Sequence, residues 1–248
     1  MALYINSASA YHAELDFKTL IPDANMRRRM SYVVKMGVGT AMDCISKASV
    51  DRIDAIITAT GLGCLADSEK FLKSIQDSNE QLLNPTPFIQ STFNTIGGQV
   101  ALLTKSHCYN MTYSHRFSSF ESALLDTLMM AADGEVVNIL VGTADEKTPT
   151  QQKIMERLGA CRNGNEPSEG SFFFMLGSTP TTECLGVLEG LYIGGQNPDG
   201  EFDITINADK SYHTASASAM FKGIEALKDG AKRVLVVNGD YKIALRCM

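Results

Sequence analysis

The chain has no tryptophan and only four histidines. None of its six cysteines forms a Cys-x-x-Cys pair. Each shortage closes off a class of function. Without tryptophan there are no large aromatic platforms, and 12 methionines and 11 phenylalanines make the apolar content soft and adaptable. The cysteines, Cys44, Cys64, Cys108, Cys161, Cys184 and Cys247, are too scattered for a zinc ribbon or a redox motif, and they read as reduced, mostly buried thiols. The histidines, His12, His107, His115 and His213, lack the H-x-H or H-x-x-x-H spacing that sets two ligands on one metal. No metal and no cofactor is expected. No apolar run approaches the ~18 residues of a membrane span. No basic segment with an apolar stretch behind it opens the chain, because Met1 to Tyr11 turns polar at Asn6 and Ser7. A cytoplasmic protein is expected. The formal charge of −6 disfavours nucleic acid and anionic membrane as partners. The one basic cluster, Arg27, Arg28 and Arg29, beside the patterned Tyr32, Val33 and Val34, reads as a solvated helix start.

What is present is globular. At ~150 residues per domain, 248 residues make one large domain or two small ones. Hydrophobic residues at 44% and charged residues at 20% fit a packed core and argue against disorder. Four short runs rich in β-branched or aromatic residues read as strands: Asp54 to Thr60, Val136 to Gly142, Ser171 to Gly177 and Arg233 to Asn238. Segments with helical spacing lie between them, at Arg28 to Lys47, Ser68 to Asp77, Ser119 to Ala132 and Ala217 to Lys228. Strands alternating with helices predict a layered α/β fold with a largely parallel sheet. Near the C-terminus, only Gly239, Asp240 and Tyr241 separate Val234 to Asn238 from Lys242 to Cys247, so a hairpin makes the sheet mixed. The polar, Pro-ended stretch Asn163 to Pro167 is the expected seam, and Asn84-Pro-Thr-Pro-Phe88 is expected to be extended. No repeat of short period is evident, though the two halves have the look of weak copies of one α/β unit.

Three places carry candidate chemistry. Gly61-Leu-Gly-Cys-Leu-Ala66 matches a dinucleotide-binding turn in form, but Asp67 at the helix start would repel phosphate. No acidic residue ends a strand ~20 residues on, as ribose recognition needs. In His115-Arg-Phe-Ser-Ser-Phe-Glu121, a strand-like segment turns abruptly into a helix, as at a nucleophile elbow. Ser118 and Ser119 are nucleophile candidates with His115 or His213 as base, while Ser118-x-x-Glu121 also reads as a capping box that needs no chemistry. Third, Lys210-Ser-Tyr-His213 precedes a helix that opens on small residues, so His213 faces a pocket or serves as a satisfied cap or core residue.

In order, these pieces resemble the β-ketoacyl synthase (thiolase-fold) family over nearly the whole chain. Met26-Arg-Arg-Arg-Met30 and the helix after it are similar to the early ketosynthase helix. Ser91-Thr-Phe-Asn94 with Gly97-Gly98 resembles the segment leading to the active-site strand. Val141-Gly-Thr-Ala-Asp145 resembles the family's Gly-Gly-Ala-Glu strand end, and Ser168-Glu-Gly-Ser171 its Gly-Glu-Gly-Ala entry to a hairpin strand. The resemblance implies a thiolase-like α/β fold, residues 1–248 as one domain, with a mixed five-stranded-type sheet. Residues 1–177 would form a complete N-terminal half and residues 178–248 a reduced, truncated C-terminal half. An ungapped register from Gly142 back through Gly134 sets the family's nucleophilic cysteine on Phe117, and a phenyl ring cannot form a thioester. Cys108, nine residues earlier at the strand start, cannot replace it. Lys210-Ser-Tyr-His213 is similar to the Lys-Ser-x-x-Gly-His motif, but the family's His-Gly-Thr segment has no counterpart, so His213 reads as a relic.

A ketosynthase-like chain without the nucleophile resembles chain-length factors, most of all the small ones of bacterial aryl polyene and flexirubin pathways. That resemblance implies an active ketosynthase as heterodimer partner and an acyl carrier protein reached through the complex. It makes Tyr109, Asn110, Met111, Thr112, Tyr113 and Ser114 the expected interface strand, and sets Met129 and Met130 near a shared acyl tunnel. Two roles stay open for Phe117: an apolar plug facing partner or chain, or core packing alone. The alternative function is an acyltransferase or hydrolase using Ser118 or Ser119. A length of 248 residues is that of a ketosynthase trimmed of its catalytic C-terminal segment, which points to a partner rather than autonomous catalysis.

Overall fold

A computed structural model describes residues 2–134, 136–159, 169–209 and 212–248. The first part of the chain runs β1 (Leu3–Ala10), α1 (Phe17–Leu20), α2 (Ala24–Arg29), α3 (Tyr32–Lys47), β2 (Ala55–Ala59), α4 (Leu65–Asp77), α5 (Pro85–Gln90), α6 (Thr95–Thr104) and β3 (Tyr109–Tyr113). It continues with α7 (Ser119–Ala132), β4 (Asn138–Asp145), α8 (Pro149–Arg157) and β5 (Gly170–Gly177). The second part is shorter: β6 (Val187–Ile193), β7 (Ile204–Asn207), α9 (Ala215–Lys228), β8 (Arg233–Asn238) and β9 (Tyr241–Arg246).

The strands form one mixed sheet in the order β3-β2-β4-β5-β1-β6-β9-β8-β7. Its first five strands are the expected mixed five-stranded unit, with β2 parallel to β3 and β4, and β5 antiparallel to β4 and β1. The other four repeat that order without a fifth: β8 runs parallel to β7, and β9 antiparallel to β8 and β6. The two parts join through β1 and β6 by the pairs Leu3–Leu188 and Tyr4–Val187, and Ile5 adds backbone bonds to Leu185 and Gly186 just before β6.

Period-two alternation divides the apolar residues between two cores. On β2, Ile56 faces outward with Val34 and Val38 of α3 and Val100 of α6. Ala55, Ile57 and Ala59 face inward against Phe120 and Leu124 of α7. That inner cluster also takes Met220 and Ile224 of α9 and Val234, Val236, Ile243 and Leu245 of β8 and β9, so the two central helices serve both parts. Over the outer face of the second part there are no helices among the described residues. Arg233 and Lys242 instead hold the β6–β7 connection across it. The Arg233 guanidinium bonds the carbonyls of Asp199 and Glu201, pairs with Glu189 at 2.7 Å and lies 4.4 Å from the Phe202 ring centre.

Several local expectations change. Arg27, Arg28 and Arg29 end α2 rather than start a helix, because Asp23 caps that short helix and Met30-Ser31 breaks it from α3. Pro85 and Pro87 lie in the first turn of a helix rather than in extended chain: amides there have no intrahelical acceptor, and Asn84 caps the end. Tyr241 belongs to β9, which leaves Gly239 and Asp240 as the hairpin turn, with Gly239 at φ +60°. The seam at Asn163 to Pro167 lies outside the described residues, as do Lys210 and Ser211. Each cysteine among the described residues is a free thiol.

Candidate functional site: the elbow between the central helices

At the end of β3 the chain turns through a 3-10 turn, Arg116–Ser118, into α7. Arg116 sits at φ +51°, a left-handed conformation costing a non-glycine residue of order 1–3 kcal/mol. Hydrogen bonds hold it there. The buried Ser119 hydroxyl accepts the His115 amide at 2.7 Å and lies 2.8 Å from each of two carbonyls, those of Thr60 and Arg116. Asn238, at the end of β8, donates to the Phe117 carbonyl at 3.1 Å.

The N-terminus of α9 meets the elbow from the second part. His213 stacks on Phe117 with ring centres 4.5 Å apart and planes at 24°. Its ring also covers Gly61 so closely that a Cβ there would meet it at 2.1 Å, so only glycine fits. Burial pushes the His213 pKa down and favours the neutral imidazole, partly opposed by the nearby Arg116 backbone. Phe117 itself is 37% exposed, so it is not a core residue of the isolated chain.

Beneath the ring pair, Glu121 is fully buried. Its Oε1 accepts from Asn238 Nδ2 at 2.7 Å and from the Ser216 hydroxyl of α9, while Oε2 has no partner. Burial pushes its carboxyl above the usual range, against those two bonds. The capping box is therefore absent. Glu121 points into the protein rather than back to its own helix end, and Ser118 makes no side-chain cap bond. Ser119 is spent on backbone, and neither serine bonds a histidine ring among the described residues. The His115 side chain is exposed, so the triad-like grouping does not assemble.

The glycine turn is also occupied from within. Asp145, buried at the end of β4, accepts the amides of Gly61 and Leu62 and the Thr60 hydroxyl at 2.8–3.0 Å. The donors a phosphate would use already bind a carboxylate. Burial raises the Asp145 pKa to about 6, opposed by those bonds. Cys64 in the same turn and Cys44 in α3 are driven up to about 12 by burial, so neither is a ready nucleophile. Cys108 directly precedes β3, as its register requires.

The expected interface strand is a sheet edge, bonded only to β2. Tyr109, Asn110, Met111 and Ser114 are exposed, and Thr112 and Tyr113 half-buried. Leu125 and Met129 of α7 extend the exposed apolar surface, whereas Met130 packs inward. Tyr109 is anchored by Asp126 at 3.1 Å. Sequence reasoning missed Glu121 as a junction and Asn238 altogether. The only available signal was a lone asparagine ending an apolar strand.

Nine strands of this topology, with two central helices meeting at their N-termini, define a thiolase-like ketosynthase fold. The chain belongs to the β-ketoacyl synthase N-terminal domain family, whose model matches residues 8–160. No curated protein sequence matches it. Solved structures resemble it over essentially the full length of both chains. One is the ketosynthase ApeO in complex with its chain length factor ApeC from Xenorhabdus doucetiae, at 14% identity, TM-score 0.67 and 99% of each chain. A second is the ishigamide ketosynthase/chain length factor, at 13% identity, TM-score 0.77 and 100% of each chain. A third is the AntDE:AntF complex of a type II polyketide synthase carrier protein with its ketosynthase, at 11% identity and TM-score 0.81, covering 100% of this chain and 99% of the other. At such identities the likeness is one of fold. No helix among the described residues is long and apolar enough to cross a membrane.

Proposed function

We propose that the chain, as one unit of 248 residues, is a non-catalytic ketosynthase homologue. It pairs with an active ketosynthase and shapes the tunnel that limits or stabilises a growing polyketide or fatty acyl chain. The observation that carries this reading is Phe117: the chain has a sharp strand-to-helix elbow with Arg116 at φ +51°, and the residue that the family resemblance sets on the nucleophile position is a phenyl ring stacked on His213. Chain-length-factor complexes among the similar folds support it. Phe117 then acts as an apolar plug toward partner or chain, and its exposure favours that over core packing. The open edge of β3, flanked by Met111, Leu125 and Met129, is the surface offered to the ketosynthase. An acyl carrier protein reaches the pair through the ketosynthase. Free thiols among the described residues fit a reducing cytoplasm.

Coexpression with type II ketosynthases tests this. A stable heterodimer is expected, abolished by Met111→Glu, which sets a charge in the edge. If the chain purifies only as a monomer or homodimer, and the ketosynthase makes the same product without it, the proposal fails. Acyl transfer by the isolated chain that Ser118→Ala and Ser119→Ala abolish would establish the enzymatic alternative instead.

A further inference from the structure

We propose that Glu121 and Asn238 are positioning residues that hold Phe117 in its partner-facing conformation. This inference rests on the chain-length-factor reading above. The Asn238 side-chain amide donates to two acceptors on α7 and its approach, the Phe117 carbonyl at 3.1 Å and Glu121 Oε1 at 2.7 Å. Ser216 of α9 closes the junction from the other side. One carboxylate thereby ties α7, α9 and β8 together directly beneath the ring pair. As glue it is a poor choice: Glu121 is fully buried with Oε2 unpartnered, and no ion pair to it exists among the described residues. An apolar side chain of similar volume would join the helices without that desolvation cost. What an apolar residue cannot do is orient the Asn238 amide so that it reaches the Phe117 carbonyl. That bond, with those to Arg116, fixes a turn whose left-handed residue has no intrinsic preference for its conformation.

The test uses the full chain and two readouts. The first is the ring-current shift of the His213 imidazole protons in NMR spectra of the chain alone, which reports the Phe117 stack. The second is the dissociation constant for the ketosynthase that copurifies with it. Asn238→Asp keeps the shape but replaces the donor with an acceptor. It is expected to abolish the ring-current shift and weaken ketosynthase binding about tenfold, or about 1.4 kcal/mol. Glu121→Ala is expected to do the same, and Glu121→Gln, which keeps an acceptor oxygen, to restore both. Should Glu121→Ala not fold, Asn238→Asp against Glu121→Gln decides alone. A folded Asn238→Asp chain with unchanged imidazole shifts and unchanged affinity overturns the inference. If no ketosynthase binds the wild-type chain, the functional reading fails, and the NMR shifts still decide the clamp.

Discussion

The two parts of the sheet repeat each other, and they differ where function is concentrated. Asp54, just before β2, donates its backbone amide to the carbonyl of Asn138 at the start of β4, and its carboxylate accepts the amides of Val137 and Asn138. Asp203, just before β7, does the same with Arg233 at the start of β8 and with the amides of Lys232 and Arg233. Aligning the halves on these clamps pairs Gly142 with Val237 and Thr143 with Asn238. In the first half β4 runs on to Asp145, which ties down the glycine turn. In the second half β8 stops at Asn238 and turns back at once. The first half thus keeps a buried electrostatic anchor, an outer layer of helices and a fifth strand. The second keeps the central helix and the strands it packs on, and covers its outer face with a strap. The smaller half meets the elbow through the start of α9 and the end of β8.

The largest test of this asymmetry is Asp145→Ala. It leaves two amides and a hydroxyl without their acceptor and should lower unfolding stability by about 3 kcal/mol in urea titration. Asp145 also carries a pH signature. Its folded pKa of about 6 lies above the ordinary 3.8, so its stabilising contribution is complete below that ordinary value and is lost as the pH rises through the folded one. Wild type should lose stability across that window relative to Asp145→Asn. Next, Gly142→Ala should cost about 2 kcal/mol, since its Cβ would meet the Phe173 ring at 2.3 Å and the Phe172 carbonyl at 2.5 Å. The equivalent Val237, paired with Lys242 and half-buried, should lose less than about 1 kcal/mol on change to alanine. The clamps should also separate. Asp54 has a side chain only 6% exposed, and its loss should cost about 1–2 kcal/mol. Removal of the exposed Asp203 should move the midpoint by less. Equal losses at the two clamps would break the comparison. Smallest of all, Gly98→Ala in α6, where a Cβ meets nothing within 4 Å, should stabilise the isolated chain by about 0.5–1 kcal/mol.

The regular elements buried by simple periodicity were readable. The spacing delimits α7 and β8 to the residue and places β2, β5 and α9 within a residue or two. β1 escaped because Asn6, Ser7 and Ser9 interrupt it, yet all three are buried. Ser7 bonds the Cys44 carbonyl, Ser9 bonds Asp43, and Asn6 bonds Thr179 and Thr181. A strand whose polar residues are satisfied by distant chain has no apolar pattern to read. The repeat was legible only as a weak likeness of the two halves. Its trace is an Asp-Gly pair after each central helix, Asp133-Gly134 and Asp229-Gly230, both glycines at positive φ, followed by Ile139-Leu-Val141 or Val234-Leu-Val236. One residue of offset hides it from any fixed period. At the elbow, the strand-to-helix turn was legible, but Glu121 lies 117 residues from Asn238, and a local pattern assigned it to a cap.

The Phe117–His213 stack has one more consequence, optical rather than chemical. In a protein without tryptophan, Phe117→Trp would install a single indole at a half-open edge, in van der Waals contact with an imidazole. Its emission, quenched by a protonated imidazole and blue-shifted when solvent is displaced, would report elbow protonation and partner docking in one cuvette, against a dark background.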